Sequence, residues 1–529
     1  MHDILIKNGN IIDGSGKPMY SGDIGIKEGE IIQIGDLHNE EARKTIDARG
    51  FYVTPGFVDV NNHSDAYLRI FQNPGLESLI YQGITTIICG NCGTSLAPLT
   101  NKDVILSAQK YADVRSVNIN WLRVSEFLAE VERIKLSVNF GTLIGHTTLR
   151  RGIAGDEVRG LTSGEMKTMK KIIKDSFKEG ALGLSSGLVY THAKIASEGE
   201  MMELAEVVED YGGVYTTHIR GESHELLEAV EEALNIAQKT KVKLEISHLK
   251  AMGKKNWHLM EEAVNKIETA RMSGLDVNFD VFPYTVTGSV LYILLPDWVV
   301  EGGKNVMISR LKDPATREKL ISEMKESGND FSNIIISISP LDKKLTRKKI
   351  GEIAAAQGKL PEEAVIDLLI ASEGRVVTMM DILSEKNMVK AVQNPFSIIA
   401  TNGAGYNEEH ADTGELVHPR NFGAFPRVLA YYVREKNKVS WEEAIHKMSG
   451  RPAKKFGLNN RGLLKNGYHA DVVIFDPNAI QDLATPENPY RYSKGIDTVI
   501  VNGEITIEDG AYNGARAGQV IRKENKGWF

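Results

Sequence analysis

Eight short apolar runs rich in β-branched residues, most of them separated by helical patterns, constrain this 529-residue chain more than any other feature. They fall at 57–60, 85–88, 138–144, 181–185, 213–217, 243–247, 276–282 and 396–401. Between them lie segments such as "GEMKTMKKIIKDSFKEG" and "ESHELLEAVEEALNIAQKT", whose apolar residues recur at helical spacing. Strands that are apolar on both faces belong in a parallel sheet covered by helices. Eight strand–helix units predict an α/β chain folded as a TIM-like (β/α)8 barrel rather than an open sheet. The gap between the seventh and eighth runs is much longer than the others. Its "LLPDWVVEGGKNVMISRLKDPATREKL" reads as a mostly helical insertion at about 287–345, and insertions of that length often cover a site.

Both ends of the chain differ from the middle. "DILIKNGNIIDGSG" and "DIGIKEGEIIQIG" alternate apolar and polar residues around an Asn-Gly and a Glu-Gly turn. The same style returns in "GLLKNGYHADVVIFDP" and "DTVIVNGEITIEDG". Residues 1–54 and 460–529 are therefore expected to form one small β-domain that the chain leaves and re-enters, with 55–459 as the barrel.

Composition narrows the partners. With 42% hydrophobic and 25% charged residues and a net charge of −7, the chain is an ordinary globular one. It has no Lys/Arg block, so nucleic acid is not an expected partner. It has no run of about 20 apolar residues, so no membrane partner is expected. The first residues carry charges and a turn, unlike a signal peptide. With only Cys89 and Cys92 there is no disulfide framework, and a cytoplasmic location is expected. Composition is compatible with an oligomer.

In such a barrel the chemistry sits just beyond the C-terminal ends of the strands. Following the runs in order, those places hold His63, Cys92 (in "IICGNCG"), His146, His218 ("TTHIRGE"), His248 ("EISHLKA"), Tyr284 ("VFPYT") and Asn402 ("IIATNGAG"); none stands out after the fourth. A single histidine there is more often a hydrogen-bonded core residue than a ligand. Several at equivalent positions of one barrel point to a shared centre. Cys92, His218 and His248 could give one thiolate and two imidazoles to a zinc ion, leaving a fourth position for water. The Cys89–Cys92 spacing also matches a Cys-x-x-Cys redox pair, but no second pair exists and Cys89 is expected to face away.

Together, "TPGFVDV", "GITTIICGNCGTSLAP", "LIGHTTLR", "GALGLSSGLVY", "TTHIRGE", "EISHLKAMGKKNW", "HPRNFGAFPRVL" and "ADVVIFDP" resemble the D-aminoacylase (N-acyl-D-amino-acid deacylase) family of the amidohydrolase superfamily, over essentially the whole chain. The resemblance implies a barrel with a small β-domain. It also implies a tight Zn2+, one per chain here, on Cys92, His218 and His248. The substrate it implies is a small-molecule N-acyl amino acid, cleaved to a carboxylate and a D-amino acid. Lys250, Tyr284 and Arg420 match the family's binders of the substrate carboxylate. A cyclic-amide hydrolase on the same frame would need a bridging lysine after the fourth strand, and "ALGLSSGLVY" has none.

Two positions depart from the family. His-x-His after the first strand is replaced by Asn61-Asn62-His63, and the catalytic aspartate after the eighth by Asn402. The resemblance makes Asn61 and His63 the remnant of a second, weaker metal site, and leaves the tight one intact. A carboxamide carries no proton at neutral pH, so Asn402 is expected to orient a reacting group rather than shuttle protons. The shuttle is then another group, with His63, Asp65 or the acidic loop of Glu408, Glu409, His410 and Asp412 as candidates. The alternative is a catalytically impaired metal-binding scaffold. Deamidation at Asn402-Gly403 is a third route, disfavoured because Asn-Gly is ordinarily just a tight turn.

Overall fold

The structure is a computed structural model that describes residues 1–105, 114–155 and 157–524. The last five residues of the expected small domain lie outside the described residues. Eight parallel strands form the barrel: Phe57–Asp59, Ile84–Cys89, Asn139–Thr142 continuing as Ile144–Gly145, Gly183–Gly187, Val214–His218, Lys243–Ile246, Val277–Val281 and Ser397–Ile399. Each of the eight apolar runs supplies one of them. Neighbours pair in chain order, and the third strand holds the second on one edge and the fourth on the other. The ring closes where the first and eighth strands end. Asn62 bridges Gly403 in parallel, and His63 N–H donates to the Gly403 carbonyl at 2.7 Å.

The strands are almost wholly buried, as their sequences require. The outer helices cover them with one apolar stripe each. Helix Ser163–Lys178 buries Met169, Ile173 and Phe177, four residues apart. A capping box fixes its start: Thr162 Oγ1 accepts from Glu165 N–H at 3.3 Å, and Glu165 Oε2 accepts from Thr162 N–H at 2.7 Å.

Strands from both termini share one sheet. Tyr52–Pro55 lies beside His2–Ile11 on one edge and antiparallel to Val472–Phe475 on the other. Its core is Ile4, Ile6, Ile24, Ile26, Val53, Val472, Ile474 and Ile500. The two sequence turns of the N-terminal part come out differently. Glu28-Gly29, at φ 52° and 83°, is a true two-residue hairpin turn. Asn8-Gly9 is not a turn but a bulge inside the single strand His2–Ile11. The chain cannot reverse there because Ala42–Asp47 occupies the far edge of that strand, and Asp23 and Asp47 hold Asn8 at 2.8 and 2.9 Å. Near its C-terminus the chain leaves this sheet for the barrel: Ile521 N–H donates to Phe140 O at 2.7 Å and Lys523 N–H to Gly180 O at 3.0 Å.

The excursion between the seventh and eighth strands is longer than the expected 287–345; it is mostly helical, as expected, but its helices are built on a small sheet. It runs from Val286 to Asp381. Val286–Val290 and Ile335–Ile338 flank Val377–Asp381 in a three-stranded antiparallel sheet. Helices including Pro314–Ser327 and Pro361–Ser372 cover it, around a core of its own that includes Leu311, Leu320, Ile336, Val365 and Leu369. Val290 and Val377 face the barrel mouth, packed against Tyr190 and Cys92.

Candidate metal centre

Among the described residues, the one group of side chains placed to share a metal ion is Cys92, His218 and His248, all buried, with donor atoms within 4.8 Å of one another. Cys92 sits in the tight loop after the second strand. Asn91 pins that loop, donating from Nδ2 to Ile88 O at 2.8 Å. Gly93, at φ 77°, leaves no room for a side chain: a Cβ would lie 2.5 Å from Thr147 Oγ1 and 2.8 Å from Gly187 N. His218 ends the fifth strand, and His248 lies two residues past the sixth, its N–H donated to Asp280 Oδ1 at 2.9 Å. Cys92 Sγ is 3.4 Å from His248 Nε2, and the two imidazoles meet edge to face at 4.3 Å between centroids. Cys92, His248 and Asn402 all have left-handed φ, 51°, 39° and 47°. Such strain costs on the order of 1–3 kcal/mol each and collects at functional sites. A soft thiol and two imidazoles, buried and convergent, suit a zinc ion with one position left open.

A residue that the sequence reading missed organises the ligands. Glu222 Oε1 lies 3.3 Å from His218 Nε2 and 3.2 Å from His248 Nδ1, and pairs with Lys250 Nζ. One carboxylate thus faces both imidazoles, which is the arrangement that orients metal-bound histidines. Burial pushes the Glu222 carboxyl up, but the charges of His218 and Lys250 and the hydrogen bonds outweigh it and hold the group well below the usual carboxylate range. Burial, with Lys250 and His218 nearby, keeps His248 well below its ordinary value and therefore neutral, the form that ligates. The only sequence cue for Glu222 was its place four residues past His218.

The positions of the second metal site hold a different network. Asn61 Nδ2 donates to Asp280 Oδ1 at 3.1 Å and to Oδ2 at 3.3 Å, while His63 Nε2 meets Asn402 Oδ1 at 2.9 Å. Burial raises Asp280 to about 7. With carboxamides in place of an imidazole and a carboxylate, and Asp280 already engaged by Asn61, this donor set does not fit a second zinc.

The expected carboxylate binders separate. Arg420, first residue of helix Arg420–Arg427, lines the same cavity as the metal ligands and is 8% exposed. Its Nε and Nη1 have no hydrogen-bond partner, and its guanidinium stands 4.9 Å over the Phe282 ring. Lys250 also lines the cavity, but its ammonium is engaged by Glu222. Tyr284 does not line it. Its ring packs against Arg427 at 4.9 Å and His418 at 5.4 Å, because Arg427 Nε donates to Pro283 O at 2.7 Å and draws this stretch away from the mouth. Of the proton-shuttle candidates, only His63 lines the cavity. Asp65 is buried and accepts from Ala66 and Gly90 N–H at 2.7 and 2.9 Å. Glu408, Glu409 and Asp412 are exposed, and His410 is bound to Glu415 at 2.9 Å. His146 braces a helix through Glu200 at 2.9 Å, and Cys89 is buried outside the metal group. The cavity is roofed by the insertion through Thr287, Gly288, Val290 and Val377, and has a volume of about 50 Å³.

The family model described as "Amidohydrolase family" matches residues 44–330 and 412–507. A D-aminoacylase from Alcaligenes xylosoxydans xylosoxydans is 33% identical over 98% of both chains. An N-acyl-D-aspartate deacylase of that organism is 32% identical over 98% of this chain and 95% of its own length. Its N-acyl-D-glutamate deacylase is 31% identical over 99% and 97%. A crystal structure of N-acyl-D-glutamate deacylase from Bordetella bronchiseptica, with zinc and a phosphonate mimic of the tetrahedral intermediate, superposes with a TM-score of 0.83 at 30% identity, covering 98% of this chain and 99% of that one.

Proposed function

Because the chain belongs to the amidohydrolase family, we propose that it hydrolyses the amide of N-acyl-D-amino acids, giving a carboxylate and a D-amino acid. The observation that carries the reading is the convergence of Cys92, His218 and His248 in one cavity with the buried, hydrogen-bond-deficient guanidinium of Arg420. Cys92, His218 and His248 would hold one zinc ion per chain, and the Asn61 and Asn402 network leaves no place for another. Bound there, zinc supplies Lewis acidity and an acidified water nucleophile, of pKa roughly 7, to the scissile amide.

The protein's own groups do the rest. Glu222, itself part of the cavity lining, meets His218 Nε2 and His248 Nδ1, so that the other nitrogen of each ring is the one that would ligate. Arg420 receives the substrate carboxylate, offering two N–H groups in a planar fork. Lys250 adds positive charge at the same wall while bound to Glu222. Asn402 Oδ1 faces His63 Nε2 at 2.9 Å, so the carboxamide fixes the orientation of that imidazole. His63 is the group assigned to carry protons, and Asn402 the group that orients it. Proton transfer of this kind contributes roughly 10²–10⁴-fold in rate.

The test is turnover of N-acetyl-D- and N-acetyl-L-amino acids by the zinc-loaded protein, with Asn402→Asp alongside. D-selective turnover by the native chain is expected. No native turnover with clear gain in Asn402→Asp would show an impaired scaffold. No turnover by either, with no bound zinc, would overturn the reading.

A further inference from the structure

The relatives that act on D-aspartate and D-glutamate derivatives are within two per cent in identity of the D-aminoacylase, so overall similarity does not choose among side chains. The cavity does. Apart from the metal-group residues and His63, its ionisable lining is two tyrosines, the Lys250–Glu222 pair and Arg420. Arg420 is the one cation there whose charge is not already shared with a carboxylate, and the substrate's own carboxylate uses it. Nothing of positive charge in this lining is then left for a second anion.

The wall facing the metal group is uncharged and largely apolar, with the hydroxyls of Thr287 and Ser289 beside its valines. Val290 and Val377 from the insertion pack with Tyr190 against Cys92, and Ile293 adjoins them, half-buried. The space that continues beyond Asn402 and Arg420 is bounded by Ile338, Met379 and Val417. His418 borders it too, and burial and the Arg420 charge hold that imidazole well below its ordinary value, hence neutral. Towards the outer vestibule, Lys194 is paired with Asp297 and Arg220 with Glu232, while Lys254 and Lys255 stand exposed in water at its rim, Lys255 Nζ donating to Glu326 O at 2.6 Å. A carboxylate side chain turned onto the valine wall would lose its hydration and gain no cation, only the neutral hydroxyls of Thr287 and Ser289, whereas an apolar one would bury surface there.

We infer that the site takes D-amino acids with neutral, apolar side chains and rejects acidic ones, and that Val290, Ile293 and Val377 of the insertion set this choice. The inference rests on the deacylase reading above. It is tested by kcat/KM of the zinc-loaded full chain on N-acetyl-D-methionine, N-acetyl-D-leucine, N-acetyl-D-aspartate and N-acetyl-D-glutamate. The neutral pair is expected to exceed the acidic pair by roughly 10²-fold or more, the order expected for a buried charge without a partner. Val377→Arg should narrow that gap at least about tenfold, chiefly by raising the acidic substrates. If Val377→Arg loses its cooperative thermal transition, Ile293→Arg at the half-buried rim carries the same comparison. Equal or better turnover of the acidic pair overturns the inference and leaves the deacylase reading standing. A gap that neither variant narrows overturns the role given to the insertion residues. No turnover on any of the four overturns the reading, and the inference with it.

Discussion

Replacing Glu222 by glutamine removes one negative charge from the point where three groups meet. Oε1 is 3.3 Å from His218 Nε2, 3.2 Å from His248 Nδ1 and in contact with Lys250 Nζ. Glutamine keeps a carbonyl acceptor but no charge, so both imidazoles lose the negative charge that raises their basicity, and buried Lys250 loses its counter-ion. Loss of such an outer partner typically weakens metal binding 10–100-fold, or about 1.4–2.7 kcal/mol, and here one residue serves two ligands. The assay is competition for zinc between the protein and a chromophoric chelator near neutral pH, with thermal melting to show that the fold is kept. Weakening of at least about tenfold in Glu222→Gln is expected. A zinc Kd within about twofold of native in a folded variant would refute the claim that Glu222 orients the ligands.

Arg420→Lys retains charge but loses the planar fork, so KM for N-acetyl-D-methionine should rise about tenfold or more with a smaller change in kcat; an unchanged KM would remove Arg420 from substrate binding. Burial raises Asp65 from 3.8 to about 7. The folded state therefore binds this proton more tightly than the unfolded one, so the contribution of Asp65 to stability is full below about pH 4 and is lost as pH rises towards 7, a change on the order of 4 kcal/mol for this group. Urea unfolding across that range should show a shallower fall in Asp65→Asn, which has no charge to bury; an equal slope in both proteins would contradict the assignment.

What the sequence makes legible follows the range of the interactions involved. Strands such as "ITTIIC" and helices such as the Thr162–Glu165-capped one are specified by neighbours a few residues away, and all eight barrel strands stand where the apolar runs put them. The metal group is legible because the barrel brings strand ends together, so Cys92, His218 and His248 converge although 156 residues separate the first from the last. The insertion is less so: Val286–Val290 pairs with Val377–Asp381 across most of its length, and no local pattern announces such a pairing. Asn8-Gly9 carries the signature of a hairpin, yet edge pairing with Ala42–Asp47 makes it a bulge. Tyr284 follows a strand as a site residue would, but Arg427, far along the chain, holds its ring elsewhere. Asp280 was a missed cue, a carboxylate within the wholly buried strand Val277–Val281, where it engages both Asn61 and the His248 backbone.

A single zinc held by Cys92, His218 and His248 is open to elemental analysis. The native chain and Cys92→Ser would each be incubated with excess zinc, dialysed against metal-free buffer and analysed for metal per folded chain. About one zinc in the native protein and almost none in Cys92→Ser is the predicted result. Two zinc ions in the native protein, or a full complement retained without the Cys92 sulfur, would contradict it.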